Sequence, residues 1–333
     1  MIGFPFLPEA LPILIMVMSA IPGANTPGDS HGGQFVTREI STDHGQRRYK
    51  LFIPGSYNGS TALPLVVMLH GCTQDPDDIA RGTRMNELAE EKSVLVAYPE
   101  QPESANPKKC WNWYDPAHQK RDQGEPALIS AITRQIMASH RVDVDRVYVG
   151  GLSAGGAMAV AVALSYPDLY AAVGTHSGIP YGAAKTVVEA LAAMQGKGGE
   201  AAALSSAASA AMGKRARAMP GIVFQGGADA VVNSRNAEQL ALQLSALQGQ
   251  KPGQKTIAPT EESGVSAEGY HYRQVTHGNG DGTVELWMVQ ELGHAWSGGS
   301  PEGTFTDSRG PNATNEMLRF FLAHPRASRQ TND

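Results

Sequence analysis

RVYVGGLSAGGAMAVAVAL, residues 146–164, decides how the rest of the chain is read. Its opening RVYVG is the β-branched and aromatic run of a buried strand, and AGGAMAVAVAL is small and apolar throughout, as in a helix packed on every side. Between them stands Gly151-Leu152-Ser153-Ala154-Gly155. In this strand-to-helix context a G-x-S-x-G sequence makes a sharp turn that lifts the serine hydroxyl above the sheet, while the glycines let the helix pack close behind it. Ser153 is therefore the candidate nucleophile. The same pattern recurs at Gly28-Asp29-Ser30-His31-Gly32, but in a Pro/Gly segment with no strand before it and no helix after it, so that match is taken as chance.

Outward from this unit, short β-branched runs alternate with longer amphipathic ones. That pattern predicts an α/β fold, a mainly parallel sheet with helices on both faces. Eight strands are expected, at 34–41, 47–53, 65–69, 93–98, 146–150, 171–175, 221–226 and 283–290. LVVML, VLVAY and IVF have the continuous apolar character of buried parallel strands, whereas the alternation of RRYKLFI suits an antiparallel edge hairpin. Helices are expected at 77–91, 123–139, 154–165, 234–247 and 313–323. No linker divides these elements, so one catalytic domain is expected over 34–325, preceded by a signal or unstructured segment at 1–33 and followed by a tail at 326–333. Two segments break the rhythm. Residues 183–218 hold 14 alanines and predict two short helices, either a surface excursion or a cap over the site. Residues 248–282 predict a loop with one irregular strand near 270–276, and GNGDG at 278–282 a hairpin turn, its ligand spacing being wrong for calcium.

The 333 residues carry 41% apolar and 18% charged side chains, enough for a large core. With 27 Lys and Arg against 32 Asp and Glu, the net charge of −5 provides no positive field for a phosphate backbone, and nucleic acid is excluded as a partner. Two cysteines are too few for a four-cysteine zinc site, and no metal or cofactor is expected. LPILIMVM at 11–18 has the length of an export signal, although no basic residue precedes Arg38. Glu9 and the prolines at 5, 8, 12 and 22 interrupt any membrane span, so a secreted or periplasmic protein without stable membrane insertion is expected.

A serine hydroxyl needs a histidine to take its proton, and the imidazole needs a carboxylate to fix its tautomer. In a sheet of this kind the chain order is serine, acid, histidine. Asp229 follows the buried strand GIVFQ through a glycine turn, where catalytic groups gather at the carboxyl end of a parallel sheet. His294 lies in the glycine-flanked loop GHAWSGG after the strand VELWMV, whereas His271 and His277 fall in the irregular loop and His324 ends the last helix. The oxyanion requires two backbone donors, for which Ala154, after the nucleophile, and Cys72, in the loop after PLVVML, are the candidates. His70 is assigned a structural role, since it precedes that loop and the triad already has a base. Trp113 and Trp296 are expected to wall the substrate cleft, with Tyr114 and Tyr181 as weaker candidates and Trp287 in the core. The basic cluster Lys214, Arg215 and Arg217 could draw an anionic chain but is more simply a solvated face.

Six stretches in order, LHGCTQ at 69–74, CWNWY at 110–114, VYVGGLSAGGAMA at 147–159, HSGIPYGAA at 176–184, FQGGADAVVNSRNA at 224–237 and LGHAWSGG at 292–299, resemble the polyhydroxybutyrate depolymerase family of esterases. The resemblance runs from about Arg47 to Phe321 and implies an α/β-hydrolase fold, related to feruloyl and acetylxylan esterases, with Ser153, Asp229 and His294 as triad and Cys72 and Ala154 at the oxyanion. Its substrates would be hydroxyalkanoate esters, oligomers or polyester. The alternatives are aryl or acetyl esters of plant polysaccharide, an anionic polymer such as polyaspartate, and a non-catalytic polymer-binding protein, against which the complete triad argues. Gln225 stands where the family often has histidine, at a strand end where it is not expected to disturb the acid. The chain stops at Asp333, leaving no room for the separate polymer-binding domain of many extracellular depolymerases, so the resemblance leaves attack on crystalline polymer open. Cys72 in the oxyanion loop and Cys110 before the aromatic loop predict a disulfide that closes a 39-residue ring, worth about 3 to 4 kcal/mol by chain entropy.

Overall fold

The computed structural model describes residues 32–248 and 258–326. Most of the signal segment, all but Gly32 of the chance G-x-S-x-G at 28–32, residues 249–257 of the expected loop and nearly all of the tail lie outside the described residues.

The strands are β1 (Gln34–Thr42), β2 (Gly45–Ile53), β3 (Leu63–Leu69), β4 (Leu95–Pro99), β5 (Val142–Leu152), β6 (Val173–His176), β7 (Gly221–Gly226), β8 (Thr260–Val265), β9 (His271–His277) and β10 (Val284–Val289). They form one sheet in the order β1-β2-β4-β3-β5-β6-β7-β10-β9-β8. β4, β3, β5, β6, β7 and β10 run parallel, and antiparallel pairs close both edges. The sheet thus has ten strands among the described residues rather than the eight expected. β9 stands where an irregular strand was expected. β8, TEESGV, is the unforeseen one, because an edge strand that buries almost none of its side chains leaves no apolar pattern to read.

The helices are α1 (Pro76–Thr83), α2 (Met85–Lys92), α3 (Gly124–Ser139), α4 (Ala154–Ser165), α5 (Val187–Met194), α6 (Ala201–Met212), α7 (Arg235–Ala246) and α8 (Ala313–Ala323). One helix was expected over 77–91; Arg84, at φ 54°, ends α1 in the left-handed conformation and splits it in two. The pleat of β3 shows how the sheet separates two cores. Leu65, Val67 and Leu69 join the cluster that contains α3, α4, α6 and α7 residues, while Val66 and Met68 join that of α1, α2 and α8. α5 and α6 occupy the alanine-rich stretch. α6 is built into the first core through Leu204, Ala208 and Met212, and Gln243 of α7 donates to the carbonyl oxygens of Leu204 (2.8 Å) and Tyr181 (2.9 Å).

Candidate active site

β5 ends at Leu152 and α4 begins at Ala154, leaving Ser153 alone in the turn at φ 56°, ψ −120°. A non-glycine residue holds such a conformation only when its surroundings impose it. The Ser153 N–H donates to the His176 carbonyl at 2.8 Å, and the Ser153 carbonyl accepts from Ala157 N–H at 3.0 Å. The start of α4 is pressed so closely onto the end of β3 that a Cβ at Gly155 would lie 2.1 Å from the Leu69 carbonyl oxygen. Any side chain there would push the nucleophile turn off the sheet.

The acid turn and the base loop are tied to each other before their side chains meet. Gly227 N–H donates to Val289 O at 2.7 Å and Ala228 N–H to Leu292 O at 3.0 Å. Asp229 Oδ1 accepts from the amides of Val231 (2.9 Å) and Val232 (2.8 Å), which leaves Oδ2 to face His294. His294 Nδ1 lies 2.8 Å from Asp229 Oδ2, and its Nε2 lies 3.0 Å from Ser153 Oγ. A carboxylate only accepts, so Nδ1 carries the proton and Nε2 is free to accept from the serine hydroxyl. Burial raises the Asp229 carboxyl, but the hydrogen bond and charge of His294 with the two valine amides outweigh it, and the net position is below the usual carboxylate range.

The loop after β3 passes directly against the nucleophile, since a Cβ at Gly71 would lie 3.6 Å from Ser153 Cβ. His70, at its start, is fully buried and held down to about 4 mainly by desolvation, hence neutral. Its Nε2 accepts from Gln101 N–H at 3.0 Å, so Nδ1 bears the proton and donates to Gly71 O at 2.8 Å. That bond fixes the Gly71–Cys72 peptide by its carbonyl, and in a trans peptide the Cys72 N–H points the opposite way. Among the described residues the Cys72 N–H has no acceptor, and the Ala154 N–H opens α4, where first-turn amides have no partner within the helix. Gln74 Oε1 accepts from Gly71 N–H at 2.9 Å. Cys72 and Cys110 are joined by a disulfide with S–S 2.06 Å, and Thr73 N–H donates to Lys108 O at 2.7 Å, so the aromatic loop and this loop are tied at two points.

The expected cleft residues divide. Trp113 is almost wholly buried, with the half-buried Tyr114 edge-on to it at 5.7 Å. Tyr181 is half-buried and its hydroxyl donates to Gln119 O at 2.7 Å. Trp296 is not a cleft wall: the chain turns at Ala295, whose N–H donates to Gly293 O, and sends the indole into the second core, where Nε1 donates to Thr314 Oγ1 at 2.9 Å. Gln225 touches the acid, with Nε2 donating to Asp229 Oδ2 at 3.1 Å and to Val232 O at 2.9 Å. His176 was also missed. It is buried and pushed down to about 3, first by desolvation and then by the neighbouring His294, and its Nε2 accepts from Ser297 N–H at 3.1 Å, pinning the base loop to the end of β6. Of the basic cluster, Arg217 is spent inside the fold, donating to the carbonyls of Pro167, Tyr170 and Ala171, and Arg215 lies 3.9 Å from Asp168.

The family model described as esterase PHB depolymerase matches residues 47–262. The chain belongs to that family. Poly(3-hydroxyalkanoate) depolymerase C of Paucimonas lemoignei is 29% identical over 287 residues, 86% of this chain and 65% of that one, so the match spans about two thirds of the relative's length. Feruloyl esterase B of Thermothelomyces thermophilus is 28% identical over 258 residues, 73% of this chain and 82% of that one. Among solved structures, an acetyl xylan esterase from Aspergillus awamori superposes with TM-score 0.69 over 86% of this chain and 99% of its own at 18% identity, which places the fold in the α/β-hydrolase class.

Proposed function

We propose that the chain is a serine carboxylic ester hydrolase acting through an acyl-enzyme. The observation that carries this reading is the continuous chain from Ser153 Oγ to His294 to the Asp229 carboxylate. Ser153 Oγ attacks the ester carbonyl carbon while its proton passes to His294 Nε2, and the resulting oxyanion is received by the N–H groups of Cys72 and Ala154. Collapse breaks the bond to the alcohol oxygen, which leaves with the proton from Nε2. Water then attacks the acyl-enzyme with the same base, releasing the carboxylic acid and restoring Ser153.

Hydroxyalkanoate esters and oligomers are the proposed substrate class, supported by the family and by the depolymerase relative. Esters of plant polysaccharide form the second reading, supported by the feruloyl esterase relative. The internal pairing of Arg215 and Arg217 weighs against an anionic polymer. A disulfide is kept in an oxidising compartment, which supports a secreted or periplasmic location, and no helix among the described residues is long and apolar enough to cross a membrane. Ser153→Ala is expected to lower kcat on short-chain nitrophenyl esters by at least about 10⁴-fold with unchanged circular dichroism. Retention of most activity would overturn the assignment. Rates on hydroxybutyrate oligomers, methyl ferulate and acetylated xylan separate the substrate classes.

A further inference from the structure

Phe305 breaks two rules at once. It is a large apolar side chain left 43% exposed, and it sits at φ 53°, in the left-handed region that a bulky residue ordinarily avoids. Its neighbours hold it there. Thr304 N–H donates to Asp78 Oδ1 at 2.8 Å and Thr304 Oγ1 to the other oxygen of that carboxylate, while Thr304 O accepts from Gln74 Nε2 at 3.1 Å. Phe305 O accepts from Trp296 N–H at 2.7 Å, and Thr306 Oγ1 donates to Ser300 O at 2.7 Å. All these bonds involve backbone or flanking side chains, so the fold does not require a phenyl at 305. Glycine would adopt this backbone angle without strain, which offsets the burial lost with the phenyl.

What the phenyl does touch is the candidate base. Its ring centroid lies 6.2 Å from that of the His294 imidazole, edge-on at 75°. The Nδ1 side of the imidazole is closed by Asp229, whose side chain is fully buried, and Phe305 adds exposed apolar surface beside the imidazole ring. On the acyl-enzyme reading given above, His294 Nε2 must hand its proton to the departing oxygen, which therefore leaves beside the imidazole. We propose that Phe305 is a specificity-determining wall of the subsite that receives the leaving alcohol, favouring alcohols with an apolar chain or ring. The backbone strain at 305 is the kind that persists where a side chain is held for function rather than for packing.

The test uses two ester series with the full chain: acetates of alcohols from methyl to hexyl, and methyl esters of acids from acetate to hexanoate. Phe305→Gly is expected to lower the hexyl-to-methyl ratio of kcat/KM in the alcohol series about tenfold, to leave the slope of the acid series in place, and not to lower the melting temperature. Phe305→Leu, which keeps an apolar wall, should retain most of the ratio. An unchanged alcohol ratio in Phe305→Gly, or a changed acid slope instead, would overturn the assignment. A uniform loss in both series with a lowered melting temperature would also overturn it, by placing the phenyl in the fold. If the wild-type chain hydrolyses neither series the esterase reading fails with it, whereas wild-type turnover with an unaltered Phe305→Gly profile fails this inference alone.

Discussion

Gln225 shows how much one buried amide decides at the residue scale. It is fully buried at the end of β7, and its Nε2 faces the Asp229 carboxylate together with the carbonyls of Val232 and Gly226. Three acceptors demand the NH₂ end, which orients the amide. Gln225→Glu would set a second carboxylate against Asp229, and two such neighbours cannot both ionise freely, so the pair would hold a proton to higher pH. Since Asp229 must be ionised to hold the His294 tautomer, the acid limb of kcat/KM is expected to move to higher pH, with a loss of about 1.5 to 3 kcal/mol in unfolding free energy for the broken charged hydrogen bond. A pH–rate profile superimposing on the wild type would refute this. The candidate triad was legible because each member follows a strand in a glycine-bearing turn, in the chain order the fold requires. Gln74, His176 and Phe305 were not, because the first two act on segments remote in sequence and the third through a backbone angle, and neither leaves a local pattern; Gln225 stood out in the sequence, but its bond to an acid four residues on did not.

At the scale of elements, the site is four loops strapped together in two pairs. The acid turn and the base loop share backbone hydrogen bonds, and the oxyanion and aromatic loops share the Cys72–Cys110 bond. Cys110→Ser opens the 39-residue ring, the sequence separation being 38, and is expected to cost about 3 to 4 kcal/mol of unfolding free energy in urea. Because it also loosens the peptide that carries the proposed oxyanion donor, kcat should fall by a larger factor than KM rises. A change confined to KM would show that the strap serves substrate binding alone. β3, β4 and the helix after Ser153 were readable for the reason that makes them stable: they are buried throughout and almost wholly apolar. β8 and the break at Arg84 were not, since one is an exposed edge and the other a backbone angle.

Across the whole molecule, the two buried histidines couple the site to global stability. His70 and His176 each accept a backbone N–H at Nε2, from Gln101 and Ser297, and a proton there would set donor against donor. Both are held below the ordinary imidazole value of 6.5, to about 4 and about 3. In the unfolded chain they protonate near 6.5, so between there and about 4 the unfolded state binds more protons and stability must fall with pH. For His70 alone the full shift corresponds to about 3 kcal/mol, complete near pH 4, and His176 continues the loss below that. Asp229, also held low, adds its share only as pH falls below the ordinary carboxylate value of 3.8. The urea midpoint should therefore be level above about pH 7.5 and fall through pH 6 and 5, before most carboxylates titrate. A midpoint that stays level from pH 7 to 4 would mean that both imidazoles charge within the folded chain. The hydrogen bonds that aim the Gly71–Cys72 peptide and pin the base loop would then have to be remade without unfolding.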